Sequence, residues 1–142
     1  MIAIDTNLLV YAHRSDTAEH RKAQRAVETA VIHPLGWGIP LPCLAEFWMV
    51  VTHPNCVGGA SSPETAGRFL ESLLESGKGQ LWHPSPGFGL RLANTGSEMG
   101  VCGARIFDLQ IAMIAVENGA TQIWTHDKAF VAIPRLRVVD PL

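Results

Sequence analysis

The fold of this chain is decided by its first seven residues, Met1-Ile2-Ala3-Ile4-Asp5-Thr6-Asn7. The apolar run from Ile2 to Ile4 has no polar alternation, which predicts a strand buried on both faces. An acid, a hydroxyl and an amide follow this strand, and an apolar helical pattern begins directly after them. Because ligands of open α/β sheets bind at the carboxyl ends of the strands, Asp5 is expected at a functional edge.

Composition sets the class of protein. The 142 residues are expected to form a single domain, 1-142, and their 47% hydrophobic content excludes a disordered chain. The net charge of −2 does not decide for or against a nucleic-acid partner. If cations neutralise four clustered acids, the 11 basic residues face only the remaining nine of the 13 acids.

Cysteine usage and hydropathy predict where the protein resides. The three cysteines are odd in number and widely spaced, which argues against a disulfide framework. No charged segment leads into an apolar one at the start, and no apolar run reaches the ~18 residues that a membrane span needs. We therefore expect a reduced, cytoplasmic protein with no membrane partner.

Strand and helix signals alternate along the rest of the chain. Strands are predicted near residues 2–4, 37–39, 81–83, 122–125 and 137–139. Helices are predicted over 6–13, from a capping box of Asp16 and Glu19, from the Pro40–Pro42 turn to His53, from a capping box at Ser61–Glu64 to Gly77, from Ser85-Pro86, and over 108–118. This order predicts a three-layer α/β fold with a mainly parallel sheet.

Three more carboxylates are expected at the same edge as Asp5. Asp127 follows the strand at 122–125, so it lies at the carboxyl edge if the strands run parallel. Asp108 opens the nearly all-apolar helix that precedes that strand, and Glu46 lies about one turn into the helix after the second strand. The sequence therefore predicts an acidic cluster.

Four carboxylates so close together repel one another unless a cation lies between them. Mg²⁺ and Mn²⁺ prefer carboxylate and water oxygens, which makes Asp5, Glu46, Asp108 and Asp127 candidate ligands for one or two such ions. Thr6, Asn7 and Thr125 are small polar residues beside the acids. They suit hydrogen bonds to the ligands or to a substrate phosphate.

These motifs, taken in order, carry a family resemblance. The chain combines Asp-Thr-Asn after the first strand, Glu46 in the third helix, Asp108 opening an apolar helix, and Thr-His-Asp-Lys-Ala-Phe from Thr125. In this it resembles a PIN domain. The chain length, together with His53-Pro54-Asn55 and Ser62-Pro63-Glu64, is similar to the VapC-like ribonuclease toxins of type II toxin–antitoxin pairs.

The resemblance implies both a fold and an activity. The implied fold is a three-layer α/β/α PIN-like nuclease domain with a mainly parallel central sheet flanked by helices. The implied activity is Mg²⁺- or Mn²⁺-dependent endoribonuclease action, in which a metal-activated water hydrolyses the RNA phosphodiester bond. The family's catalytic acids map onto Asp5, Glu46, Asp108 and Asp127, and its hydroxyl position onto Thr125.

Partners follow from the same resemblance: an RNA substrate, a cognate antitoxin protein and a second copy of the chain. We expect the homodimer to form through the helices at 42–53 and 63–76.

Two other functions stay open at this point. An aspartyl-phosphate phosphatase also carries an Asp after its first strand, but it uses a second Asp two residues later, where this chain has Asn7. A non-catalytic RNA- or protein-binding domain on the same scaffold would typically have lost one of the four acids.

Overall fold

A computed structural model describes all 142 residues as an α/β domain built on one parallel sheet. The strands are β1 (Ile2–Ile4), β2 (Trp37–Pro40), β3 (Gln80–Trp82), β4 (Gln122–Trp124) and β5 (Arg137–Val139). The helices are α1 (Thr6–His13), α2 (His20–Val31), α3 (Leu41–Thr52), α4 (Pro63–Glu71), α5 (Phe88–Glu98) and α6 (Arg105–Glu117), and a π-helical turn, Ser72–Ser76, extends α4.

The sheet order is β3-β2-β1-β4-β5, with every neighbouring pair parallel. The strand β1 is central, and its three residues are at most 1% exposed, as its unbroken apolar run predicts. Ile2 pairs with Trp37 on one side, and Ile4 pairs with Trp124 on the other. Helices flank the sheet in the predicted three-layer arrangement, so the fold class is confirmed.

The chain order reverses beside β1, because β2 and β3 lie on one side of it while β4 and β5 lie on the other. Such a switch point leaves a crevice outside the carboxyl ends of the strands. The residues directly after β1 and β4 are Asp5 and Thr125, and both are buried. The topology therefore places the predicted functional edge at the centre of the sheet.

Several element boundaries agree with the sequence prediction. The helix α1 spans residues 6–13, and Asp5 caps it by accepting a hydrogen bond from the Thr6 amide at 2.7 Å. The middle of α6 is buried, with five buried residues between Leu109 and Ala115, as its apolar composition predicts. No helix has both the length and the hydropathy needed to span a membrane.

Asp16 is not the cap of α2, which corrects a prediction. The helix begins at His20, and no side chain caps it. The Asp16 carboxylate instead binds Arg14, at 3.0 Å from Nε and 2.8 Å from Nη2. Arg14 is only 7% exposed, so a bidentate partner for a buried guanidinium takes precedence over a helix cap.

Two other helix starts also differ from the prediction. Ser62, and not Ser61, caps α4 through the Thr65 amide at 3.1 Å, because Pro63 occupies the first helical position. The helix α5 begins at Phe88 rather than at Ser85-Pro86. Gly87 holds the left-handed φ of 76° that turns the chain into this helix.

Candidate active site

The four predicted acids line one cavity at the carboxyl edge of the sheet. The cavity has a volume of about 300 Å³ and lies between α1, α3, α6 and the segment after β4. Its walls are formed by Asp5, Thr6, Asn7, Val10, Tyr11, Glu46, Val50, Asp108, Ile111 and Asp127. Residues more than 120 positions apart in the chain therefore meet here, as the parallel-sheet argument predicts.

Asp5 is the most constrained of the four acids. Its Oδ1 accepts from the Thr6 amide at 2.7 Å, and its Oδ2 accepts from Asn7 Nδ2 at 2.9 Å and from Thr125 Oγ1 at 2.6 Å. Burial raises the pKa of Asp5, while the hydrogen bond from Thr125 opposes that rise. These N–H and O–H donors hold the carboxylate in one orientation.

Thr125 and Asn7 join the ends of β1 and β4. The Thr125 hydroxyl donates to Asp5 and accepts from Asn7 Nδ2 at 2.8 Å and from the Asp127 amide at 3.0 Å. Asn7 Oδ1 accepts from the His126 amide at 3.0 Å. These bonds position two of the acids relative to each other, which supports the orienting role predicted for Asn7 and Thr125.

Glu46 and Asp127 reach the cavity from opposite sides. Glu46 Oε2 accepts from the Thr6 hydroxyl at 2.6 Å, so Thr6 orients the acid that α3 supplies. Asp127 Oδ1 accepts from the Ala129 amide at 2.8 Å in a tight turn. Each of these two acids keeps its second carboxylate oxygen without a protein donor.

Asp108 has no hydrogen-bond partner on either carboxylate oxygen, although it is half-buried in the first turn of α6. Its pKa is raised first by burial and then by the negative charges of Asp127, Asp5 and Glu46. The positive charge of Arg105 lowers this pKa but offsets the burial and the three carboxylates only in part. The unused oxygens of Asp108, Glu46 and Asp127 are hard donors of the kind that Mg²⁺ and Mn²⁺ accept.

The acids share the cavity without forming a finished coordination shell. No three His, Cys, Asp or Glu side chains of the chain are grouped closely enough to hold an ion by themselves. Mutual repulsion keeps unneutralised carboxylates apart, and Mg²⁺ retains several waters in its shell. The donor set therefore fits a hard divalent cation, and direct ligation by all four acids stays a prediction.

Sequence reasoning missed two features of the cavity. The buried Cys43 thiol donates to Asp5 Oδ1 at 3.7 Å, and burial raises the pKa of this thiol well above its ordinary value. Cys43 stands three residues before Glu46, so the helical spacing could have placed both side chains on one face of α3. The apolar walls of the cavity, which include Tyr11 and Ile111, depend on tertiary packing and leave no local signal.

His126 lies at the rim of the cavity. Its Nδ1 is 2.9 Å from Asp140 Oδ2, and its ring stands edge-on to Tyr11 with the ring centroids 6.2 Å apart. The Asp140 carboxylate therefore fixes the orientation of the imidazole. None of the contacts of His126 reaches Asp5 or Asp108 through its side chain.

The sheet order and the acidic cavity define a nuclease-like α/β domain, and comparison with known families gives the class. The PIN domain model matches residues 2–136, so the chain belongs to the PIN domain family. Within that family it is VapC-like. It is 31% identical over 142 residues to the ribonuclease VapC43 of Mycobacterium tuberculosis, covering 100% of this chain and 96% of that protein.

Solved structures share the fold. The toxin VapC20 of M. tuberculosis, described as cleaving the sarcin-ricin loop, superposes with a TM-score of 0.64 at 16% identity, covering 92% of each chain. The VapBC-1 structure from nontypeable Haemophilus influenzae gives a TM-score of 0.62 at 24% identity, covering 99% of this chain and 98% of that one. At these identities the likeness establishes the fold alone.

Proposed function

We propose that the protein is a metal-dependent endoribonuclease and the toxin of a toxin–antitoxin pair. The observation that carries this proposal is the cavity with four acids, in which Asp108 faces three other carboxylates with no donor of its own. The similarity to VapC ribonucleases over the whole chain supports RNA as the substrate.

The four acids would hold Mg²⁺ or Mn²⁺, and three of them are oriented by hydrogen bonds from the protein. N–H and O–H donors fix Asp5, the Thr6 hydroxyl fixes Glu46, and a turn amide fixes Asp127. When bound, the cation supplies Lewis-acid polarisation of the phosphate and lowers the pKa of a water that can attack it. Products of hydrolysis by water carry a 5′-phosphate and a 3′-hydroxyl.

The protein residues supply orientation and a shaped, negatively charged cavity. Thr125 and Asn7 keep Asp5 from rotating, so its charge points in a fixed direction. Val10, Val50 and Ile111 give the cavity apolar walls beside the acids. A bare cavity of this charge repels a phosphodiester, which makes substrate binding depend on neutralisation of the acids.

The test is RNA cleavage by the purified protein with Mg²⁺, with Mn²⁺ or with EDTA. We expect cleavage with either metal, complete loss in EDTA and recovery when excess metal is restored. End-labelling of the products should show 5′-phosphates, and cleavage that persists unchanged in EDTA would contradict the proposal.

We propose a homodimer that forms through α3 and α4. Trp48 and Met49 of α3 are adjacent in the chain and are 39% and 58% exposed, so together they offer apolar area for a second copy to cover. We expect Met49→Glu to convert the dimer into a monomer, measured by light scattering coupled to gel filtration. Ile32→Glu is the matched control, because Ile32 is 81% exposed outside these helices. A wild-type protein that is monomeric at micromolar concentration would rule out this interface.

The antitoxin is proposed from the resemblance to VapC proteins. A basic side chain, such as an arginine inserted among the acids, would neutralise the cavity in place of the metal. The phosphatase alternative loses support, because Asn7 donates to Asp5 where that chemistry needs a second acid. A binding domain without catalysis is disfavoured because all four acids are present and face one cavity.

A further inference from the structure

A second cavity, distinct from the acidic one, lies between α2, the end of β4 and the last residues of the chain. Its volume is about 440 Å³, and it shares no residue with the acidic cavity. It is lined by Lys22, Arg25, Ala26, Thr29, Trp124, Pro141 and Leu142. The four residues from α2 follow the i, i+3, i+4, i+7 spacing of one helix face, so this face of α2 forms a continuous wall.

The side chains that line this second cavity include two cations, Lys22 and Arg25, and no acid. Among the basic residues, Arg14, Arg68 and Arg91 pair with carboxylates, whereas Lys22 and Arg25 do not. Lys22 donates only to the main-chain oxygen of Leu142, at 3.0 Å, and the Arg25 guanidinium has no hydrogen-bond partner. Two cationic side chains at one cavity, with no acidic side chain among its walls, favour an anionic ligand.

Trp124 gives the cavity an aromatic surface. Its indole is half-buried, and Nε1 donates to Gln122 Oε1 at 3.2 Å, which fixes the ring plane. A nucleotide carries a phosphate that cations bind and a base that stacks on an aromatic ring. A rigid indole beside two cationic side chains matches both parts of that ligand.

Residues that line the two cavities are close to one another in the sequence and are linked by side-chain contacts. Trp124 directly precedes Thr125, whose hydroxyl holds Asp5 of the acidic cavity. Pro141 follows Asp140, which holds His126, and the His126 ring contacts Tyr11, a wall residue of the acidic cavity. Trp124 lines the second cavity and Asp127, three residues later, lines the acidic cavity, so both cavities lie beside the carboxyl end of β4.

We propose that the second cavity is a subsite for a nucleotide of single-stranded RNA beyond the scissile bond, with its phosphate at Lys22 and Arg25 and its base on Trp124. The inference rests on the proposed ribonuclease function and deepens it. RNA is favoured over an acidic protein segment because the fixed aromatic ring beside the cations matches a nucleobase. The subsite supplies the attraction for RNA that the acidic cavity, with its negative charge, does not provide.

The first test measures RNA binding in EDTA, where no cleavage occurs. The probe is fluorescently labelled oligoadenylate of about 12 nucleotides, long enough for a single-strand subsite, with binding followed by anisotropy at several salt concentrations. We expect Lys22→Ala/Arg25→Ala to weaken binding roughly tenfold. The slope of the logarithm of the binding constant against the logarithm of the salt concentration should become shallower by about 1.4, because two phosphate contacts are lost at about 0.7 each. Unchanged affinity and slope would overturn the proposal.

A matched control comes from the same helix. Arg21 and Arg25 are both exposed arginines of α2, but only Arg25 lines the cavity. We expect Arg25→Ala to account for several-fold of the loss and Arg21→Ala to leave binding within about twofold of wild type. Equal losses in the two variants would indicate a diffuse charge effect and would contradict a defined subsite.

Trp124 provides an independent optical readout. RNA binding should quench part of the tryptophan fluorescence, and Trp124→Phe should remove that quenching while retaining an aromatic ring and most of the affinity. Trp124→Leu should lose affinity roughly tenfold with the stacking surface. If the leucine variant does not fold, the phenylalanine variant still decides the question, because quenching that persists in it would place the RNA elsewhere.

The outcomes separate this inference from the proposed function. If wild type cleaves RNA with Mg²⁺, and Lys22→Ala/Arg25→Ala has the same RNA affinity and KM as wild type, the subsite is disproved and the nuclease proposal is retained. If the variants change RNA binding as expected but no cleavage occurs, the subsite is supported and the nuclease proposal is contradicted. Poly-glutamate that binds wild type but not the double variant, with RNA affinity equal in both, would assign the cavity to an acidic protein and overturn the proposal.

Discussion

Asp108→Asn is expected to reduce RNA cleavage by roughly 10³-fold or more, because the cation that this acid helps to hold supplies several kcal/mol to the reaction. The side chain is half-buried, neither of its carboxylate oxygens accepts a hydrogen bond, and its charge faces those of Asp127, Asp5 and Glu46. The amide keeps the shape and removes the charge. The measurement is the single-turnover cleavage rate of a labelled RNA with saturating Mg²⁺.

The same substitution should not lower the stability of the metal-free protein. A loss of cleavage can therefore be distinguished from unfolding. The folded-state pKa of Asp108 is raised, mainly by burial, so its charged form opposes folding once the pH exceeds the unfolded value. In EDTA at neutral pH the thermal midpoint of Asp108→Asn should therefore equal or exceed that of wild type. Added Mg²⁺ should raise the wild-type midpoint and affect the variant less.

Glu98→Gln is the matched control, since it also removes one negative charge but from an exposed position on α5. Cleavage and the Mg²⁺ response of this variant should stay at wild-type levels. An Asp108→Asn protein that is folded and fully active would disprove the role assigned to this acid.

The sequence located the acids well because a simple topological rule applies to them. Asp5 and Asp127 follow strands that run parallel, and parallel strands end at one edge of the sheet. The same reasoning could not find the Cys43 thiol behind Asp5, nor the walls at Val10 and Ile111. Those contacts depend on how helices pack across the crevice, which periodicity alone does not determine.

Local signals failed where another side chain competed for the same group. The spacing of Asp16 and Glu19 fits a capping box, yet Asp16 pairs with Arg14. Arg14 also donates to Cys56 Sγ and to the main-chain oxygens of Val57 and Gly59, so all its donors are used. The need to satisfy a buried guanidinium therefore determined the structure of this turn, and the contacts of Arg14 with residues 56–59 leave no local signal in the sequence.

Gly38→Ala is expected to destabilise the fold by about 3 kcal/mol, at the upper end of the range for overpacking a core. A Cβ at position 38 would lie 2.3 Å from Cε2 of Trp82 and within 2.7 Å of two further ring atoms. Trp82 is 2% exposed, and its Nε1 donates to Gln80 Oε1 at 3.0 Å. The ring is therefore fixed over the strand and cannot move aside without disturbing the β2–β3 pairing.

Chemical denaturation measures this effect, and two further variants identify its cause. Gly89→Ala is the control, because a Cβ there meets no atom within 4 Å and the change should stabilise α5 by up to about 1 kcal/mol. Adding Trp82→Leu to Gly38→Ala should recover part of the loss, since the smaller side chain leaves room for the methyl group. The losses in the free energy of unfolding should therefore be non-additive. The double variant should be more stable than the sum of the two single losses predicts. Additive losses, or a Gly38→Ala protein as stable as wild type, would mean that the indole does not cover β2 as described.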